Sequence, residues 1–155
     1  MRKTVTIVCA LVCALTALTG CGAAKEVNAD VKALGADLAG KITYQEELAE
    51  LDIDTAAMFI NLSDVNITDY VIYENSGATA EEVIVLECAS ADDAAKALAA
   101  FKTRVADQKE SFENYVPEEL TKLDAAVLAT SDKYAVLSVS GDPDTAKRII
   151  SDYLK

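Results

Sequence analysis

Apolar residues recur along this chain with two periods, which predict helices in some segments and strands in others. Spacings of three and four residues predict a first helix, whose apolar face is formed by Val31, Leu34, Leu38 and Ile42. The same spacing predicts a short helix over residues 54–62 and a long one over residues 91–115, which begins behind Ser90 as a capping residue. A last helix begins at Pro143, with Asp142 as its N-cap.

Between the helices the apolar period changes to two, which is the period of a strand. Two pairs of such segments occur, 67–73 with 83–88 and 125–130 with 134–140, and a predicted helix follows each pair. The second strand–helix junction repeats the first at an offset of 51 residues. Because neither ββα unit covers its own apolar faces, the sequence predicts an α+β fold. In the predicted fold, a four-stranded antiparallel sheet has both helices packed on one face. One or two further helices precede it in the chain.

The connection inside the first hairpin is predicted to be ordered. Asn75, Ser76 and Gly77 favour a turn, and Thr79 with Glu82 has the capping-box spacing that predicts one helical turn. The long helix, at about 1.5 Å per residue, is longer than the strands, so we expect its C-terminal end to overhang the sheet. That end combines amides, a hydroxyl and aromatic rings, as interaction sites do. The two segments predict an interaction surface formed by Ser76, Gly77, Thr79, Glu82, Gln108, Ser111, Phe112, Asn114, Tyr115 and Glu118.

The N-terminus has the pattern of a bacterial lipoprotein signal. Arg2 and Lys3 precede the uninterrupted apolar or small stretch Val5–Leu18, which is shorter than the about 20 residues that span a bilayer as a helix. The segment Leu18–Cys21 reads Leu-Thr-Gly-Cys and resembles a lipobox, in which the cysteine thiol receives a diacylglyceryl group. A plain secretory signal, with Cys21 incidental, is the alternative.

Cleavage before Cys21 divides the chain into a signal peptide (1–20), the lipidated Cys21 with a short tether (21–28) and a single α+β domain (29–155). The remaining length is that of one domain with one core. We expect this domain on the extracytoplasmic face of the cell membrane, held by diacylglycerol on Cys21 and without another cofactor.

Charge and cysteine content disfavour several functions. The chain has 26 acidic and 14 basic residues, and loss of Arg2 and Lys3 makes it more acidic, so it repels nucleic acid and anionic lipid headgroups. It has no histidine, which excludes a His-based triad and leaves a conventional zinc site without its usual ligands, so no metal site is predicted. Cys88 alternates with Ile84 and Leu86, so we expect an inert thiol buried on one face of a strand.

Two further blocks carry a family resemblance, Asp69–Glu82 and Gln108–Glu118. In these blocks, and more weakly over residues 52–155, the chain resembles small lipoproteins of Gram-positive anaerobes that carry a domain of unknown function. The resemblance implies a lipid-anchored envelope protein. It assigns no catalytic or ligand-binding residues that could be carried over to this chain.

Together these patterns predict a lipid-anchored, non-enzymatic module of open oligomeric state that binds an envelope protein or a small ligand. One alternative is an accessory enzyme with carboxylate chemistry, using acids such as Glu81, Glu82 or Glu113, which requires two carboxylates about 5 to 9 Å apart in a cleft. Another is a cation-binding protein, which requires three or more converging acids. For the interaction surface, the alternative is that Phe112 and Tyr115 complete the core.

Overall fold

A computed structural model describes residues 26–155, so the predicted signal peptide, Cys21 and most of the tether lie outside the described residues. One antiparallel sheet has the strand order β1-β2-β3-β5-β4. The strands are Ala49–Leu51 (β1), Ile67–Glu74 (β2), Glu82–Cys88 (β3), Val127–Ser131 (β4) and Tyr134–Val139 (β5). The helices are Val31–Lys41 (α1), Ile53–Ala56 (α2), Ala91–Glu113 (α3), Leu120–Asp124 (α4) and Pro143–Tyr153 (α5), with a 3-10 turn at Pro117–Glu119. Within residues 26–155, no helix has the length and apolar character needed to cross a membrane.

Side-chain caps fix the starts of the two predicted ββα helices. The Asp93 backbone N–H donates to Ser90 Oγ at 3.1 Å at the start of α3. At the start of α5, the Thr145 N–H donates to Asp142 Oδ1 at 3.0 Å. Each bond satisfies an N–H group that has no partner inside the helix. The predicted N-caps of both helices are therefore confirmed.

The sheet has five strands, so the prediction of four is one too few. The additional strand, β1, lies at the edge and pairs with Ile72–Glu74 of β2. It is three residues long, and two of the three are exposed. A segment this short shows too little alternation to reveal a strand in the sequence.

Helices cover both faces of the sheet, and the prediction that they share one face is wrong. α3 packs on the face that carries Ile72, Ile84, Leu86, Cys88 and Leu137. α1 and α5 pack on the opposite face, which carries Val71, Val83, Val85 and Val136. Every residue of β5 and six of the seven in β3 are buried, because helices cover these central strands on both faces.

The 51-residue repeat is present in the strands but not in the placement of the helices. Val85 and Val136, which are equivalent in the repeat, are direct partners between β3 and β5. A two-fold axis through this pair, perpendicular to the sheet, would place both helices on one face. The junction before α5 has three residues, whereas the junction before α3 has two. The two units therefore differ both in the length of this junction and in the face of the sheet on which the following helix packs.

Candidate functional site

The predicted interaction surface is divided between the exterior and the interior. Its exposed members are Ser76, Gly77, Ser111, Asn114, Tyr115 and Glu118, and Thr79 is half-buried. Its other three members are buried, namely Glu82, Gln108 and Phe112. The assignment of these three to a surface is therefore corrected, because a buried side chain offers nothing to a partner.

The hairpin tip is ordered, but it contains no helical turn. Instead, Asn75 Nδ2 donates to Thr79 Oγ1 at 2.8 Å and to the Glu81 carbonyl at 2.7 Å. The Gly77 N–H donates back to Asn75 Oδ1 at 2.7 Å, and Gly77 has a φ of +89°, which favours glycine. The capping box predicted from Thr79 and Glu82 is absent, since Thr79 is bound to Asn75.

The end of α3 does not project freely, because the 3-10 turn and α4 pack against it. Phe112 enters the core beside Val116 and Leu123. Tyr115 is 69% exposed, with its ring centroid 6.3 Å from that of Phe112. The alternative that both aromatic residues complete the core holds for Phe112 alone.

Glu82 and Gln108 belong to a buried cluster centred on Arg104 of α3. Arg104 Nη2 lies 2.8 Å from Glu74 Oε1, and Arg104 Nε donates to Glu82 Oε2 at 3.3 Å. Gln108, with its amide oriented to suit its neighbours, donates to Glu82 Oε1 and accepts from Arg104 Nη2, both at 3.1 Å. Two carboxylates thus share one guanidinium, and Glu74 Oε2 is buried without a hydrogen bond among the residues described.

This arrangement changes the acidity of both carboxyl groups. Burial raises the pKa of Glu82 to about 7; the Arg104 charge opposes this rise and the Glu74 charge adds to it. Burial also raises the pKa of Glu74, again against the effect of Arg104. One cation cannot neutralise both the buried carboxylate of Glu82 and the half-buried carboxylate of Glu74, so Glu82 favours uptake of a proton near neutral pH.

Arg104 also forms part of a surface groove. Its guanidinium carbon lies 4.4 Å from the centroid of the Phe59 ring, a cation–π contact. Arg104, Phe59, Met58, Thr103 and Asp107 line a groove of about 480 Å³, here called the Arg104 groove. The buried cluster therefore fixes one wall of an open surface feature.

A second groove, here called the Tyr70 groove, lies on the other side of the segment 57–61. Its volume is about 540 Å³. Its lining is largely apolar and includes Ile53, Ala57, Ile60, Leu62, Val65, Ile67 and Tyr70. Ala57, Ile60 and Asn61 line both grooves, and the neighbouring Met58 is 86% exposed. A large apolar side chain thus stands exposed where the two grooves meet.

The chemistry available in these grooves suits binding. Each contains a single carboxylate, Asp107 in the Arg104 groove and Asp54 in the Tyr70 groove, while Glu74 and Glu82 line neither. Glu81, an acid considered for catalysis, is buried and ion-paired with Lys122 at 3.1 Å. Over residues 26–155 there is no group of three or more acids, cysteines or histidines placed to hold a metal ion.

Cys88 lies outside both grooves, in the core beside Ile84 and Leu86, which confirms its predicted burial. Burial raises the pKa of its thiol to about 11, and the charges of Asp93 and Glu87 add to the rise. A thiol this weakly acidic supplies almost no thiolate at neutral pH.

Sequence reasoning did not identify Arg104 or the segment 57–61 as part of a site. It predicted a helix over residues 54–62, and the structure limits that helix to Ile53–Ala56. One signal for the cluster was available, since Arg104 and Gln108 follow Phe101 at spacings of three and four, on the apolar face of α3. Glu82 likewise alternates with Ile84 on an apolar strand face. A polar residue on such a face needs a buried partner.

Comparison with known families agrees with the resemblance drawn from the two sequence blocks. The model of one family, described as a domain of unknown function (DUF4358), matches residues 41–140. The matched segment runs from the end of α1 to the end of β5, so it includes both grooves and the Arg104 cluster. Neither the comparison with curated proteins nor that with solved structures finds a significant match.

Proposed function

We infer that this chain, which belongs to the DUF4358 family, is a lipid-anchored envelope protein that binds its ligand where the two grooves meet. The observation that carries the binding role is the exposure of Met58, which lines the Arg104 groove directly beside Ala57, a residue that lines both grooves. Exposed apolar surface rimmed by polar groups is typical of binding sites, and methionine adapts its shape to a partner.

Binding without catalysis is the better interpretation of the acids in this region. A glycosidase-like mechanism needs two carboxylates that both reach the substrate. Here the paired carboxylates, Glu74 and Glu82, are held by Arg104 behind the groove wall. We propose that the cluster shapes the wall and that the ligand contacts Arg104, Phe59 and Met58.

The proposed anchor rests on the lipobox at Leu18–Cys21. Diacylglycerol on Cys21 would hold the domain at the extracytoplasmic face of the membrane, because two acyl chains give stable attachment. Only five residues separate Cys21 from Val27, which is buried in the core, so the domain would stay close to the bilayer.

Replacing Cys21 with serine should abolish acyl labelling, since a hydroxyl does not form the thioether link. The variant is expected either to keep its signal peptide or to leave the membrane. Fatty-acid labelling of cells that express the unmodified protein or the Cys21→Ser variant measures acylation. Alkaline washing of their membranes then measures how firmly each protein is attached. Cys88→Ser is the matched control and should remain labelled. Persistent labelling of the Cys21 variant would show that the anchor proposal is wrong.

A photo-crosslinking residue in place of Met58 should give a discrete adduct in cells that express the full chain, because position 58 is exposed in the Arg104 groove beside Ala57, which lines both grooves. Ala57 lines both grooves, so the large side chain introduced by Ala57→Trp should obstruct them. The yield of the adduct should then fall by about tenfold or more, as expected when a contact at the centre of an interface is lost. The same photo-residue at Arg148, exposed on α5 on the other side of the sheet, is the control. Equal adducts from positions 58 and 148, or adducts unaffected by Ala57→Trp, would contradict the binding role.

A further inference from the structure

We propose that the Tyr70 groove binds an extended peptide segment with alternating apolar and basic side chains, which pairs with the open edge of β2. The inference rests on the proposed function, since it specifies the ligand class for one of the two grooves. It combines three features of the same region: an unpaired strand edge, an apolar groove beside that edge, and a local excess of acids.

The first feature is the edge of β2. β1 pairs with Ile72–Glu74 only, and in the part of the chain that the structure describes no strand lies beside residues 67–71 on that side. An unpaired edge offers backbone N–H and C=O groups to an added strand. The Tyr70 groove includes Ile67, Thr68 and Tyr70 of this edge. The same surface therefore offers backbone pairing and an apolar pocket.

Side chains, the half-buried Asp69 and the exposed Lys32, occupy the peptide groups of Tyr70. Its N–H donates to Asp69 Oδ1 at 2.8 Å, and its carbonyl accepts from Lys32 Nζ. The Lys32 side chain is 54% exposed and lies 3.8 Å from Glu50. Such contacts protect an edge from random pairing, yet a peptide can replace them one for one with backbone hydrogen bonds. Side chains thus cover this edge of β2, but they leave it accessible to an added strand.

The third feature is charge. Residues 50–70 contain no basic residue and five acidic ones: Glu50, Asp52, Asp54, Asp64 and Asp69. The whole chain has a formal charge of −12, so its field also favours a cationic partner. In an added strand, alternate side chains point to opposite faces. Apolar residues on one face would enter the groove, and basic residues on the other would approach Asp69 and Glu50.

The test uses a synthetic eight-residue peptide of alternating valine and lysine, with blocked termini and a fluorescent label. Fluorescence anisotropy measures its binding to the full-length protein in nanodiscs of zwitterionic lipid, and empty nanodiscs provide the background. We expect saturable binding above this background. A peptide in which glutamate replaces lysine should bind at least about tenfold more weakly, because its charges meet the acids of residues 50–70.

Two further peptides with the same side chains test the strand pairing. N-methylation of every second residue leaves one edge free to pair, and this peptide should keep its affinity within about threefold. N-methylation of every residue removes both edges and should weaken binding by about tenfold or more.

A matched pair of protein variants tests the edge itself. Lys32→Met frees the Tyr70 carbonyl and should tighten binding by about two- to fivefold. Lys41→Met removes the same charge from the other end of α1, where Lys41 pairs with Asp37 at 2.7 Å, and should tighten binding less.

The proposal is overturned by any of three results: no binding of the valine–lysine peptide above empty nanodiscs, equal binding of the fully N-methylated peptide, or equal binding of the glutamate peptide. These results are distinguishable from failure of the proposed function. If only the peptide class is wrong, the adduct at position 58 persists and is still reduced by Ala57→Trp. If the grooves bind nothing, that adduct is lost as well.

Discussion

Replacing Arg104 with methionine is expected to lower the free energy of unfolding by about 3 to 5 kcal/mol at pH 8, the usual cost of removing one partner from a buried ion pair. The loss follows from the geometry around Arg104, which lies within 3.3 Å of both Glu74 and Glu82. Without it, two carboxylates face each other across neighbouring positions of β2 and β3 with no cation between them. Urea denaturation at constant ionic strength measures the change.

The same variant should lose less stability at pH 5 than at pH 8. Glu82 has a folded-state pKa of about 7, above the value of 4.5 that an unperturbed glutamate has. A carboxyl group whose pKa is higher in the folded state than in the unfolded state stabilises the fold at pH values below its unfolded-state pKa. This contribution is lost as the pH rises through its folded-state pKa. Protonation of Glu82 at pH 5 therefore removes one of the two carboxylate charges that Arg104 balances.

Lys133→Met is the matched control for Arg104→Met. Lys133 lies 2.6 Å from Glu87, but both side chains are partly exposed, so its loss should cost less than about 1 kcal/mol at either pH. If Arg104→Met costs no more than this control, or costs the same at pH 5 and pH 8, the cluster does not have the energetic role described here.

Gly35→Ala should destabilise the protein by about 1 to 3 kcal/mol, whereas Gly40→Ala should stabilise it by about 0.5 to 1 kcal/mol. Both glycines lie in α1, where alanine is the better helix former. A Cβ at position 35 would collide with Cγ1 of Val71 on β2, while a Cβ at position 40 meets no atom within 4 Å. Overpacking therefore outweighs helix propensity at position 35 alone.

Thermal unfolding of the two variants beside the unmodified protein gives this comparison directly. The change is the same single methyl group in one helix, so differences in the unfolded chain largely cancel. Stabilisation by Gly35→Ala, or equal effects at both positions, would show that α1 does not approach β2 as closely as the structure indicates.

The Arg104 cluster has a counterpart at Glu81, the residue that directly precedes β3. Glu81 and Glu119 share Lys122, at 3.1 and 2.9 Å, and Glu119 Oε2 also accepts from the Ala80 N–H at 2.9 Å. Each cluster joins the start of β3 to a helix packed beside it. Both carry two carboxylates on one basic residue, so the start of β3 concentrates buried negative charge.

The sequence by itself determined the local elements, because their signals are local. The periodic apolar residues of α1 and α3, the caps Ser90 and Asp142, and the burial of Cys88 each depend on residues a few positions apart. The alternation of β2 and β3 is likewise visible without a partner strand.

The tertiary structure decided what depends on distant residues. The faces chosen by α3 and α5, the short edge strand β1, and the grooves on either side of segment 57–61 follow from packing between elements. Glu82 alternates with Ile84 on an apolar strand face, but only packing reveals that its partner is Arg104, 22 residues later. Gly35 and Gly40 are equivalent helix breakers in the sequence, and only the close approach of β2 distinguishes them. Burial and close contact are properties of residue pairs far apart in the chain, which is why local pattern could not supply them.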